Sequence, residues 1–242
     1  MRGPLKDQAL RVLVNRGIRI GTVLDVGVLT ETPELKAHFP EALHVLFEPV
    51  AEFIPGIERN YQGIRHEIAN VAVSASTGET MLALESVVDV PGQEFSHSHI
   101  VSNAAAGATH RTVPMTTLDD FLEGRDLPEP YFLKIDIDGH ELAAVAGATK
   151  TLKKCAAVMI EAQIAELPQR ISAIVDQGFV LFDLAEPCYY DNALWQCDAI
   201  LLREEFHQRH FAQLDADFDA SKYSIFNVRL RPPVGLQRER GS

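Results

Sequence analysis

The amino-acid sequence predicts an α/β fold, a doubly wound and mostly parallel sheet finished by an antiparallel strand. Three features carry that expectation. Short apolar runs that end in an acid or a glycine alternate with stretches of helical spacing, and such runs read as strands buried on both faces. The alternation breaks after the third strand, which places an insertion between the third and fourth. The last two runs follow one another with no helix between them, as an antiparallel hairpin requires.

Taken in order, residues 5–16 set Leu5, Ala9, Val12 and Leu13 at helical spacing before Gly17. Val23-Leu24-Asp25-Val26 is a short strand that turns at Gly27. Thr32 as a cap, Pro33 in the first turn and Glu34 at the positive end predict a helix to about His38. His44 to Pro49 forms a second strand, residues 51–61 a second helix, and residues 64–74 contain a third strand. Turn residues at 74–78 then open the insertion, with a strand at 80–84, a long polar stretch at 86–109 and a short strand at 111–115. A structureless stretch of that length is usually functional, so 74–116 is read as a substrate lid. Thr117 caps a brief helix.

The regular pattern then resumes. A strand at 131–136 leads into a helix at about 140–153, with Leu142, Val145, Ala148 and Leu152 on one face. A fifth strand covers 156–161, a helix 167–177 stops at Gly178, and a sixth strand covers 179–184. A turn-rich segment, 187–192, precedes the last strand at 198–202. The basic segment inside 229–242 reads as a solvated tail. No repeat and no linker divides the 242 residues, so a single domain over 1–242, with an N-terminal helix within 1–16, is expected.

Composition excludes several classes of function. The formal net charge of -12 argues against nucleic acid or an anionic membrane as partner. Cys155, Cys188 and Cys197 lack metal-type spacing, and three cysteines fit a reducing compartment better than a disulfide framework. No apolar run approaches membrane-spanning length, and the N-terminus lacks the apolar core of a signal peptide. A cytoplasmic protein is expected.

Ligands of open α/β sheets bind outside the carboxyl ends of the strands, and that edge is rich in acids here. The first turn, Asp25-Val26-Gly27-Val28-Leu29-Thr30-Glu31, has one glycine where a dinucleotide fingerprint needs three. Gly27 can let a ligand approach the main chain, whereas Glu31 disfavours a diphosphate. Glu48, at the end of the second strand, can accept both hydroxyls of a ribose. Together these residues point to a nucleoside held without a diphosphate, and S-adenosylmethionine has that chemistry.

Asp136 and Asp138 flank Ile137 and repel one another, so one can serve as base. A divalent cation ligated also by His140 or Glu141 is an alternative that this spacing does not favour. A helix cap with Glu141 as capping-box partner is the preferred reading of Asp138. Glu161 ends the fifth strand on the same rim and can orient substrate. His97 and His99 lie in the insertion, from which they can reach the acceptor.

These residues resemble the FkbM family of S-adenosylmethionine-dependent methyltransferases from about Gly17 to Arg203. The resemblance rests on Val23-Leu24-Asp25-Val26-Gly27, Phe47-Glu48-Pro49, Thr117-Leu118-Asp119-Asp120-Phe121 and Leu133 through Glu141 in that order. It implies a class I (Rossmann-like) methyltransferase sheet of seven strands. It also implies that Asp25 and Gly27 line the methionine end of the cofactor, that Glu48 holds the ribose, that Asn70 and Val71 approach the adenine and that Asp136 faces cofactor and acceptor. By the same resemblance the acceptor is a hydroxyl of a sugar or natural product.

Two departures stand out. Val28-Leu29 and Glu31 replace the Ala-Asn and second glycine usual in the first turn, and His140 stands in place of an alanine. Asp136 is the expected base, with His140 second. An inactive cofactor-binding scaffold and an NAD(P)-dependent oxidoreductase are the competing readings; the missing glycines count against the latter.

Overall fold

The computed structural model describes residues 2–85, 97–101, 109–212 and 220–224. The chain opens with α1 (Lys6–Asn15), β1 (Thr22–Val26), α2 (Pro33–His38) and β2 (Leu43–Phe47). A single 3₁₀ turn at Ala51–Phe53 runs into α3 (Ile54–Asn60), and β3 (His66–Ala69) follows. The next four strands are β4 (Ala72–Val73), β5 (Gly78–Glu85), β6 (His97–Val101) and β7 (Thr109–Thr116). Then come α4 (Leu118–Phe121), β8 (Tyr131–Ile135), α5 (Glu141–Ala146), α6 (Thr149–Leu152), β9 (Cys155–Gln163) and α7 (Leu167–Val175). The long strands β10 (Phe179–Tyr190) and β11 (Ala193–Arg203) and the helix α8 (Glu204–His210) complete the main body.

Seven strands form one sheet in the order β10-β11-β9-β8-β1-β2-β3. Only β11 runs against the others, pairing antiparallel with both β9 and β10. The predicted architecture is therefore present, including the antiparallel last strand and the interruption after the third. Strands β1, β2 and β8 are buried at every position, and their side chains alternate between two apolar layers, as the strand period of two dictates. Leu24, Leu133 and Val158 pack on the face covered by α4 to α7. Val23, Phe132 and Met159 pack on the opposite face with Leu10 and Leu13 of α1 and Leu35 of α2.

The four strands of the insertion make a smaller sheet in the order β4-β7-β5-β6. Leu82, Leu84 and Val113 from it close over Val50 and Phe53, just after β2. The smaller sheet is thereby fixed above the carboxyl edge of the larger one.

Several local expectations are corrected. The polar stretch 86–109 contains a strand, β6, paired antiparallel with β5; its histidines gave no apolar alternation by which to find it. The helix expected at 140–153 is broken into α5 and α6 around Gly147. A Cβ there would lie 2.1 Å from the Ser74 carbonyl oxygen, so close packing against the insertion requires glycine. Thr32 occupies the N-cap of α2 without a capping hydrogen bond from its side chain. Thr117 does cap α4, its hydroxyl accepting from the Asp120 amide at 2.8 Å.

The segment 187–192, expected to be turn-rich, is mostly hairpin arm. Tyr190 pairs with Ala193, and Asp191 and Asn192 turn the chain at positive φ. The helix α8 had no counterpart in the sequence reading, and 229–242 lies outside the described residues. Among those residues no helix is long and apolar enough to cross a membrane.

Candidate functional site

The register of the sheet decides which acids meet at its carboxyl edge. Asp25 of β1 pairs in register with Lys134 of β8, and Glu161 of β9 with Asp198 of β11. Asp25, Lys134, Asp136, Glu161 and Asp198 share the strand parity of Val23, Phe132, Met159 and Ile200, so they project toward the α1 side. Lys134 is buried and lies 3.2 Å from Asp25 and 3.3 Å from Asp136, while its ammonium donates to the Gly27 carbonyl at 2.7 Å. Burial opposes its charge, but the two carboxylates outweigh that and raise its pKa. From α1, Lys6 reaches the same edge and pairs with Asp198 at 3.2 Å.

This arrangement divides the work of the acids. Asp25 is fully buried and stands outside the cavity wall, so it bears on the site through Lys134. Burial, then the charge of Asp136, push the Glu161 carboxyl up to about 8. Burial also works against ionisation of Asp136, yet Lys134, Lys6 and a hydrogen bond from Glu161 hold it below the usual carboxylate range. At neutral pH the pair therefore holds one proton, on Glu161, with Asp136 charged. Gln196 donates to the other face of the pair, to Glu161 Oε1 at 2.8 Å.

A cavity of about 490 Å³ opens above this edge, within the range of small-molecule sites. Its floor is Gly27, Glu48, Asp136 and Glu161; Leu82 and His99 of the smaller sheet form its roof; Trp195 and Gln196 form one wall. Val71 lines it. Asn70 does not, and its side-chain amide instead donates to the Glu48 carbonyl at 2.8 Å. Of His97 only the backbone position, at the start of β6, is described.

Gly27 is glycine for a reason other than ligand approach. At φ +83° its missing Cβ would stand 1.8 Å from the Asp136 carbonyl oxygen, so the two strand ends could not meet with any side chain there. Its bare main chain also lines the cavity.

The departures in the first turn have distinct fates. Val28 points into a core of Leu46, Ile57 and Tyr61. Leu29 lines the cavity and sits at φ +55°, a conformation that costs ordinary side chains about 1–2 kcal/mol. Glu31 pairs with Lys36 and faces away from the cavity; the expectation that it lies near a bound anion is corrected. Because Leu29 is partly exposed, Leu29→Asn loses little burial and places a residue tolerant of this geometry. It should raise the midpoint of thermal unfolding by about 1–4 °C, read by calorimetric scanning; a fall would show that the Leu29 side chain stabilises the turn.

Glu48 is buried, and each of its oxygens accepts one backbone amide, from Leu29 at 2.8 Å and Val50 at 2.9 Å. Burial pushes its carboxyl up to about 7 despite those bonds. Each oxygen retains a second lone pair, a match for two neighbouring hydroxyl donors. If the ionised form binds such a ligand, affinity for S-adenosylhomocysteine should fall roughly tenfold per unit below about pH 7 and level off above it. Glu48→Gln should flatten that profile. Titration calorimetry from pH 5.5 to 8.5 reads both, and a parallel profile in the variant would remove Glu48 from ligand binding.

His140 is half-buried on the cavity wall, its Nε2 2.7 Å from the Ser74 hydroxyl, and burial lowers its pKa. It occupies the N-cap position of α5 without a side-chain cap bond. The expected cap, Asp138, is two residues too early for that role: the chain there is at φ 51°, and Glu141 accepts instead from the Gly139 amide at 3.1 Å. Glu141 also pairs with the buried Arg170 at 2.7 Å. Among the described residues no group of three His, Cys, Asp or Glu side chains is placed to hold a metal ion.

Of the residues that the sequence singles out, Gly27, Glu48, Val71, His99, Asp136, His140 and Glu161 line the cavity; Asp25 and Asn70 do not, and the side chain of His97 lies outside what the structure describes. Sequence reasoning passed over Lys134, hidden in an apolar run, and Trp195 with Gln196. A lysine inside a strand otherwise buried on both faces was the available signal for the first.

A sheet of this order, with its one reversed strand and a nucleoside-sized cavity at the carboxyl edge, defines the class I methyltransferase architecture. The model of the Methyltransferase FkbM domain matches residues 25–182. The chain belongs to the FkbM methyltransferase family. It is 26% identical over 84 residues to the hexuronic acid methyltransferase AglP of Haloferax volcanii, a match spanning 32% of this chain and 35% of that protein.

Among solved structures it is similar to the methyltransferase FkbM of Methylobacillus flagellatus, at 16% identity and a TM-score of 0.48, covering 74% of this chain and 43% of that one. The magnesium protoporphyrin IX methyltransferase of Synechocystis, solved with bound SAM, is similar at 10% identity and a TM-score of 0.44, covering 82% and 77%. Likeness at that level carries no functional weight.

Proposed function

We propose that this chain methylates a hydroxyl group of a small molecule, a sugar or a natural product, with S-adenosylmethionine as donor. The observation that supports this most directly is Glu48, a buried carboxylate in the cavity wall with one lone pair left on each oxygen. It fits a ribose diol, and the lone glycine of the first turn does not fit a dinucleotide diphosphate. The name of the AglP relative, which acts on a hexuronic acid, supports a sugar acceptor.

When bound, S-adenosylmethionine supplies an activated methyl group on a positively charged sulfur. The residues of the chain then have separable tasks. Glu48 holds the ribose, Gly27 and Leu29 border the donor, and Val71 lies toward the base, with Asn70 fixing its turn. Asp136 accepts the proton of the acceptor hydroxyl, and Lys134 keeps it ionised until then. Glu161, already protonated, steadies Asp136 by donating to it. His140, uncharged and tied to Ser74, is the second proton acceptor, on the side of the insertion. The smaller sheet, through His99 and the neighbouring His97 position, closes over the acceptor as a lid and limits water.

Titration calorimetry with S-adenosylmethionine, S-adenosylhomocysteine and NADPH tests the reading. Binding of the first two in the micromolar range and none of NADPH is expected. Binding of NADPH alone would favour an oxidoreductase. Binding of the sulfonium compound without transfer to any hydroxylated acceptor would favour an inactive scaffold.

A further inference from the structure

The hairpin of β10 and β11 extends farther than the sheet requires. Pairing between β11 and β9 ends at Gln196 and Gln163, whereas β10 and β11 continue together to Tyr190 and Ala193. The Trp195 carbonyl still accepts from the Ile164 amide at 2.7 Å; on this arm Tyr190 is 75% exposed and Trp195 46%, with their ring centres 6.5 Å apart. Scattered exposed aromatics need no explanation. Trp195, however, is part of the cavity wall, and the next residue, Gln196, holds Glu161 beside Asp136. Trp195 thus brings an aromatic side chain into the cavity that holds the acid pair, and Tyr190 borders it from outside the cavity wall.

The charge around it is one-sided. Among the described residues of the cavity wall there are five acidic side chains, those of Glu48, Asp136, Asp138, Glu141 and Glu161, with Glu161 holding its proton and Asp136 paired with Lys134, against one guanidinium, that of Arg170. Arg170 is buried and committed to Glu141 and Glu166. The insertion adds one cation, Arg111, which is paired with Glu52, and the sequence from Ser74 to His110 has no lysine or arginine. A carboxylate on the acceptor would meet repulsion, and Lys134 and Arg170 are both already paired with carboxylates. An ammonium group would meet carboxylates and the indole face, both attractive.

Resting on the methyltransferase reading above, we propose that Trp195, flanked by Tyr190, forms the acceptor subsite. Its occupant is a sugar that lays the C–H face of its ring on the indole and carries either no charge or an amino group. The uronic acids are excluded, which separates this chain from the relative named for a hexuronic acid.

Trp195 is the sole tryptophan of the chain, so its emission reports on this subsite directly. With S-adenosylhomocysteine binding first established by calorimetry, the saturated protein is titrated at pH 7 with methyl glucoside, its 2-amino analogue and methyl glucuronide. The first two should shift the emission saturably, and the glucuronide should bind at least about tenfold more weakly. Transfer of labelled methyl to the sugars that bind should show a KM raised about tenfold in Trp195→Ala and largely recovered in Trp195→Phe. Affinity for S-adenosylhomocysteine should stay within about twofold in both variants.

Equal or tighter binding of the glucuronide, an unchanged KM in Trp195→Ala, or no emission response to any sugar would each overturn the inference and leave the methyltransferase reading standing. A response only to phenols would do the same and move the acceptor to aromatic natural products. Failure of S-adenosylhomocysteine to bind would overturn both.

Discussion

Asp136→Asn should lower methyl transfer by roughly 10²–10⁴-fold, the usual contribution of a positioned base, and leave affinity for S-adenosylhomocysteine within a few fold. Asn keeps the volume and the polar contact with Lys134 but cannot take a proton. The fold should tolerate the change, because Lys134 retains Asp25 and the Gly27 carbonyl. Single-turnover assays with labelled donor give the transfer rate, and calorimetry gives the affinity. Turnover within about threefold of the parent would exclude Asp136 as base and move the role to His140. A kcat that stays on the acidic limb of the pH profile in His140→Ala would confirm that the histidine is dispensable.

Lys134→Met should be the most destabilising single change at the site. The lysine compensates Asp25, a fully buried carboxylate, and breaking a buried pair from one side leaves an uncompensated charge. A loss of about 3–5 kcal/mol is expected, or a fall of about 6–20 °C in the midpoint of thermal unfolding for a chain of this size. The double variant Lys134→Met with Asp25→Asn should recover most of that loss, since the orphaned charge is gone. A single variant as stable as the parent would show that the Lys134–Asp25 pair adds nothing net to stability. Transfer should stay impaired in the double variant, because Asp136 loses the cation that keeps it ionised.

The two substitutions separate functions that the sequence presents together. Asp25 and Asp136 both end strands beside a glycine-containing turn, and the family resemblance puts both at the cofactor. Register sorts them. Asp25 lies opposite Lys134 in the β1–β8 pairing and is sealed beneath the edge, whereas Asp136 lies one residue beyond the end of β8 and opens on the cavity. One supports the proposed base; the other is that proposed base.

The sequence by itself determined the sheet, its reversed last strand, the insertion and the acids at the carboxyl edge. These follow from local signals: apolar runs of strand length, a glycine or acid where each run ends, and a Thr117 cap. It also placed Glu48, since a strand-end acid about twenty residues after the first turn has a readable purpose. Only the tertiary structure decided how those acids are charged. Lys6 comes from the first helix and Asp198 from the last strand, and they meet only because α1 packs on the face toward which Asp136 and Glu161 point. The same holds for Trp195, whose place in the cavity wall depends on how far the β10–β11 hairpin stays paired beyond the sheet. Periodicity records which face a residue takes within its own element; it carries no record of what another element brings to that face.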